Sequence, residues 1–264
     1  MMALAALGDR EAEAALSAMI VEPDVELRIR FVPELIRLRR AQARDYAALL
    51  ERGLRDRSPK VREAVLRVAM EDRREIFFPS VVPLLVDRTE SIRFTASAYV
   101  RLVASQDVSR VAPVLDLVRD ARRSPAARVS AIRSLRYTHD LLPVAEALVA
   151  CLDDPRKMMR EASGEALAFF KSRARLLPDL EVRLAPGRPE DLRLSALWAI
   201  AQMDLPQALR ILDPFIAHVD PRFQRAAVAG LGRIGGPDLR NRLRFLWDER
   251  RTEARAGFSG PLDL

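Results

Sequence analysis

The chain has 264 residues, 49% hydrophobic and 31% charged, with 44 Lys+Arg against 37 Asp+Glu. That composition excludes wholesale disorder, and the length suffices for a large core or one elongated array. A single cysteine, Cys151, excludes a disulfide framework and any Cys-rich metal site.

The net charge of +7 is dispersed. Residues 1–132 carry 23 basic and 19 acidic residues, and residues 133–264 carry 21 and 18. With no basic tail or stripe, nucleic acid is the second choice of partner, behind another protein or peptide. The longest uncharged apolar run, 76–86, has eleven residues and two prolines, so no membrane span is expected. The N-terminus, MMALAALGDREAEAAL, lacks the basic region of a secretory signal, and a cytoplasmic location is expected.

Taken in chain order, residues 1–20 read as a partial first unit, with a helix ending at Leu7 and Gly8 and a second helix over 11–20. A repeat then begins: VEPDVELRIRFVPEL from Val21, DRSPKVREAVLRVA from Asp56, DRTESIRFTASAYV from Asp87, RRSPAARVSAIRSL from Arg122, DDPRKMMREASGEALA from Asp153, GRPEDLRLSALWAI from Gly187 and VDPRFQRAAVAGLG from Val219. The register residues are Arg28, Arg62, Arg93, Arg128, Arg160, Arg193 and Gln224, at intervals of 34, 31, 35, 32, 33 and 31 residues. That period fits one helix–turn–helix unit with short connections.

Each unit reads as two helices. The first, A, opens at the Asp/Ser/Pro cluster, whose side chains cap free amides and whose proline suits the first turn. Small residues (Ala64, Ala96, Ala131, Ala162, Ala196, Ala227) recur two or three positions after the register residue and allow close helix approach. The second, B, is expected to open with Pro79, Pro113, Pro143, Pro178, Pro206 and Pro237. No segment alternates with period two, so the fold class is all-α. The last B helix is expected over about 239–255 as a cap on an array spanning 1–256, with 257–264 a tail.

The pattern resembles HEAT repeats, especially the short bacterial HEAT-like type first noted in phycobilin lyases. The matching features are the D-P or S-P start, the apolar-Arg pair, the A-x-x-A-L ending, and an acid six residues before the Arg: Glu22 and Arg28, Asp56 and Arg62, Asp87 and Arg93, Asp154 and Arg160. The resemblance implies a right-handed α-solenoid of about seven to eight helical hairpins, with these acids and arginines linking neighbouring repeats in a ladder. Arg122, Gly187 and His218 stand at the acid position in three copies and depart from it. Asp56, Arg62, Asp87, Arg93, Asp154 and Arg160 are therefore read as structural, since a catalytic site is unique and a scaffold contact recurs.

No catalytic, cofactor-binding or metal-binding residues are expected. Gly230-Leu-Gly232-Arg-Ile-Gly235 matches a dinucleotide fingerprint, but it follows a helix rather than a strand and reads as a helix end. His139 and His218 are far apart, and Cys151 lies in an apolar run suited to burial. A family of HEAT-like DNA glycosylases is similar to this chain in size, helix content and charge. Trp198, Trp247 and Asp248 are its nearest equivalents to that family's aromatics and Asp, but Trp198 falls in an A helix, away from the inner face expected of B helices.

A non-catalytic scaffold docking a protein or peptide on a concave B-helix face is the leading expectation. The run 76–86 carries no charge before Asp87. With its neighbours it suggests a central, weakly charged patch of Pro79, Ser80, Pro83, Ala112, Pro113, Asp116, Glu146 and Ala147. The plainer alternative is that the apolar residues of 76–86 simply fill the core.

Overall fold

The computed structural model describes Ala18 and residues 22–40, 46–72, 75–103, 108–136 and 141–235. The partial first unit other than Ala18, the capping helix, the tail, Pro237, His139, Trp247 and Asp248 lie outside the described residues. Among the described residues all regular structure is helical, and the fold is an α-solenoid.

Seven A helices recur: α1 (Val25–Arg40), α3 (Pro59–Asp72), α5 (Glu90–Val103), α7 (Pro125–Ser134), α9 (Lys157–Leu167), α11 (Glu190–Gln202) and α13 (Pro221–Ile234). Between them lie the B elements. Three are continuous helices: α2 (Tyr46–Leu54), α6 (Val108–Arg119) and α8 (Leu142–Cys151). Three are broken into short turns: 75–86 around α4 (Phe78–Val81), 173–182 ending in α10 (Leu177–Val182), and 206–215 around α12 (Leu209–Leu212). Proline explains the breaks in 75–86, since Pro79 and Pro83 each remove a helical amide donor within four residues. Pro143, Pro178 and Pro206 sit in first turns, whereas Pro113 lies inside α6, which starts five residues earlier at Val108.

Each described A helix packs against the next one along the chain. Small residues permit this: Ala96, Ala131, Ala162, Ala196 and Ala227 are buried, and Ala64 is packed against the core. Gly230 marks the tightest approach, because a Cβ there would stand 2.8 Å from both Cα and Cβ of Ala201 on α11. Gly235, at φ 71, ends α13 by donating its amide to the Leu231 carbonyl, so the Gly230–Gly235 motif is a helix terminus. One continuous core of Leu, Val, Ile and Ala runs between the two layers, at roughly 1.5–3 kcal/mol per fully buried large aliphatic side chain. Among the described residues no helix is long and apolar enough to cross a membrane.

Candidate binding face and its arginine ladder

The joints between A helices are polar and regular. Asp56 shows the full pattern. Its Oδ1 accepts the Ser58 amide at 2.7 Å, closing the turn into α3. Its backbone carbonyl accepts from Nη1 of Arg62, six residues on, at 2.8 Å. Its carboxylate accepts a two-pronged bond from Nε and Nη2 of Arg28, in the preceding repeat, at 2.8 and 3.0 Å. Asp87 does the same with the Thr89 amide, Nη1 of Arg93 and the fork of Arg62. Asp154 accepts the Arg156 amide, Nη1 of Arg160 through its carbonyl, and one bond from Nη1 of Arg128 at 3.0 Å.

Pairing with arginine lowers the carboxyls of Asp87 and Asp154. Burial pushes the Asp87 carboxyl up, but hydrogen bonds from Arg62 and Thr89 outweigh it and leave it below its ordinary value. Asp154 is held at about 2, chiefly by the Arg156 side chain, against burial and with smaller help from Arg128.

Three joints lack the acid. Arg122 replaces it ahead of α7, and among the described residues Arg93 keeps the Asp87 and Arg88 carbonyls alone, at 2.8 and 3.0 Å. Gly187, at φ 94, replaces it ahead of α11, and Nε of Arg160 turns to Ser195 Oγ at 2.8 Å. His218 replaces it ahead of α13. Its Nδ1 accepts the Asp220 amide at 3.1 Å, reproducing the turn closure without the charge. Arg193 instead lies 5.3 Å from the centre of the Phe223 ring, which stacks on His218 at 4.4 Å.

Two grooves run over the A helices. One, of about 770 Å³, crosses α9, α11 and α13; its floor includes Gly164, Leu194 and the half-buried Trp198, and its rim includes Lys157, Asp191 and Arg225. The other, of about 590 Å³, crosses α5, α7 and α9 beside Phe94, Val129, Met158, Arg93 and Arg133. Glu161 and Glu165 line both, so the grooves adjoin on α9. Phe94 is 71% exposed and Met158 45%. The charges are mixed and partly tied: Arg222 binds Asp220, Glu190 and Asp191; Lys157 approaches Glu161; Arg136 pairs with Glu165.

The patch expected on the B elements is corrected in two places. Ser80 is only 5% exposed and Ala147 only 6%. The short turns of 75–86 direct Ser80 inward with Phe77, Val81 and Leu84, all buried. Ala147 shares the inward stripe of α8 with Val144, Leu148 and Cys151. Pro79, Pro83, Ala112, Pro113, Asp116 and Glu146 are exposed. The grooves lie on the other layer, and Trp198, on an A helix as expected and away from the B-helix face, sits in one of them.

Among the described residues no cluster of His, Cys, Asp and Glu could hold a metal ion. Cys151 is buried, and desolvation pushes its thiol up from the ordinary value, which leaves it unreactive.

Comparison with known proteins follows the same lines. Residues 177–258 match the family model of HEAT repeats. No curated protein matches the chain. Among solved structures it is similar to human deoxyhypusine hydroxylase in complex with glycerol, at 16% identity and TM-score 0.40 over 84% of this chain and 96% of that one. It is also similar to a designed armadillo repeat protein in complex with the peptide (KR)4, at 16% identity and TM-score 0.36 over 84% and 98%. Computationally designed armadillo repeat proteins for modular peptide recognition give 17% identity and TM-score 0.40 over 83% and 98%. The family match covers the C-terminal repeats, and the same Asp and Arg register governs the joints before them: the chain is a HEAT-like repeat protein.

Proposed function

We propose that the chain is a non-catalytic scaffold that docks an extended segment of a partner protein across the A-helix face, from α5 to α13. The observation that carries this reading is the pair of adjoining grooves, which combine exposed Phe94 and Met158 with charges of both signs. Apolar anchors within a charged rim suit a protein segment, whereas a phosphate track needs one sign of charge. Five helices at 8–10 Å spacing cover about 32–40 Å, the length of roughly 10–12 extended residues.

A nucleic-acid reading keeps one observation in its favour. Trp198 shares its groove with Lys157, Arg160, Arg225 and Asp191, a combination of aromatic, bases and an acid. Against it, Arg222 in that groove is bound to three carboxylates, and Nη1 of Arg233 to the Ala201 carbonyl at 3.1 Å.

A display library of random 12-residue peptides, screened against the full chain, separates the two. Selected binders whose affinity falls gently with salt support protein docking. An empty selection, with tight binding of a 20-base-pair duplex that weakens steeply with salt, supports nucleic acid.

A further inference from the structure

At four of the ladder positions the arginine's outer donors are engaged by the following repeat: Arg28 and Arg62 fork an Asp, Arg128 bonds Asp154, and Arg160 bonds Ser195 Oγ. Arg93 differs. Its Nη1 is fixed on the Asp87 and Arg88 carbonyls, as Nη1 of Arg28, Arg62 and Arg160 is on the carbonyls six and five residues before each, which sets the guanidinium in the same orientation. The residue that should present a carboxylate to it is Arg122, whose side chain is 92% exposed and turned to Asp120. Among the described residues, Nε and Nη2 of Arg93 meet no carboxylate.

Arg93 also lines the groove of about 590 Å³. Arg133, exposed and with no ion pair among the described residues, lines it too, as does Ser97. The acids of the same groove are largely occupied: Glu165 by Arg136 and Glu161 by Lys157, leaving Glu90 on its edge. Beside the two arginines stand the exposed side chains of Phe94 and Met158.

We propose that this joint is a carboxylate-binding subsite: Arg93, helped by Arg133, takes an Asp or Glu side chain of the docked segment in place of the absent ladder acid, while an adjacent apolar side chain of that segment rests on Phe94 and Met158. The inference rests on the docking reading above and names the class of its partner, an acidic-apolar protein segment. Carboxylate is favoured over phosphate because the same guanidinium geometry already holds Asp carboxylates at 2.8 and 3.0 Å in this chain, and because Glu90, Glu161 and Glu165 oppose a second negative charge.

The test uses the peptides selected above, against the full chain. The proposal expects binders enriched in Asp or Glu next to a large apolar residue. Arg133→Glu should weaken them by about tenfold without lowering the melting temperature. Arg122→Asp restores the ladder acid; where it raises the melting temperature, it should also weaken the peptides, because Arg93 is then occupied from within. Binders that lack acids, or acidic binders that Arg133→Glu leaves unchanged, would overturn the subsite while docking stands. A selection that yields no binders would overturn both. Replacing the acid of a binder by phosphoserine and finding tighter binding would overturn the carboxylate assignment.

Discussion

Arg62 of α3 and Asp87, 25 residues later at the entrance to α5, are joined by two near-parallel hydrogen bonds of 2.8 and 3.0 Å. Both side chains are largely shielded, at 15% and 8% exposure. The pair closes a joint between two A helices at a point where an unpaired charge would be costly.

Removing one partner leaves the other stranded. Arg62→Ala should therefore destabilise the fold by about 3–5 kcal/mol in a urea titration. Arg93→Ala forfeits only hydrogen bonds to two carbonyls and should cost about 1–2 kcal/mol. Equal losses for the two variants would contradict the ladder as drawn here.

Asp154 and Asp87 should also make stability fall in acid. Asp154 titrates at about 2 in the folded chain, below its ordinary 3.8. A carboxyl depressed on folding contributes stability that is complete above the unfolded value and is lost as pH falls through the folded one. Asp154 should thus supply on the order of 2 kcal/mol that disappears between pH 4 and 2. Asp87 shifts in the same direction. Melting Asp154→Asn across that range should show a shallower pH dependence than the parent chain.

Gly230 is required by contact rather than by its backbone angles. A methyl group there meets Cα and Cβ of Ala201 and Cδ1 of Leu212, each at 2.8 Å. Leu212 can turn aside, but the α11 backbone cannot move without shifting its joint. Gly230→Ala should lower stability by roughly 1–3 kcal/mol despite its better helix propensity. Gly232, with open space around its Cβ position, should tolerate the same change.

Burial separates the two faces by mutation. Ser80→Arg forces a charge into a site 5% exposed and should unfold or strongly destabilise the chain. Phe94→Ala removes a side chain that is 71% exposed and should stay within about 0.5 kcal/mol of the parent in thermal melts.

Much of this architecture is legible in the sequence because its signals recur. The register of six arginines and Gln224 marks every described A helix, and from α3 onward the Ala two or three positions later marks the side packed on the core. The run 76–86 misleads for a physical reason: Pro79 and Pro83 break it into turns, so its residues do not follow one helical stripe and Ser80 turns inward. Trp198 misleads differently. Its spacing assigns it to an A helix, as found, but spacing does not say which layer carries grooves. That depends on how adjoining helices diverge, a relation between residues about 33 apart. A signal was present even so: Phe94, Met158 and Trp198 are large apolar residues in A helices, at positions where other copies carry Glu63 and Arg225, Lys60 and Arg222, and Arg67 respectively. The missing acids at Arg122, Gly187 and His218 also flag joints beneath the grooves.

Docking on the A-helix face is tested by matched charge insertions on the two faces. Phe94 and Ala112 are both exposed, on α5 and α6 respectively, so Phe94→Asp and Ala112→Asp should each leave the fold intact. Affinity for a selected peptide is then measured by calorimetry for both variants. Phe94→Asp should lose tenfold or more in affinity and Ala112→Asp should be unchanged. Loss confined to Ala112→Asp would move the docking site to the B elements and contradict docking on the A-helix face.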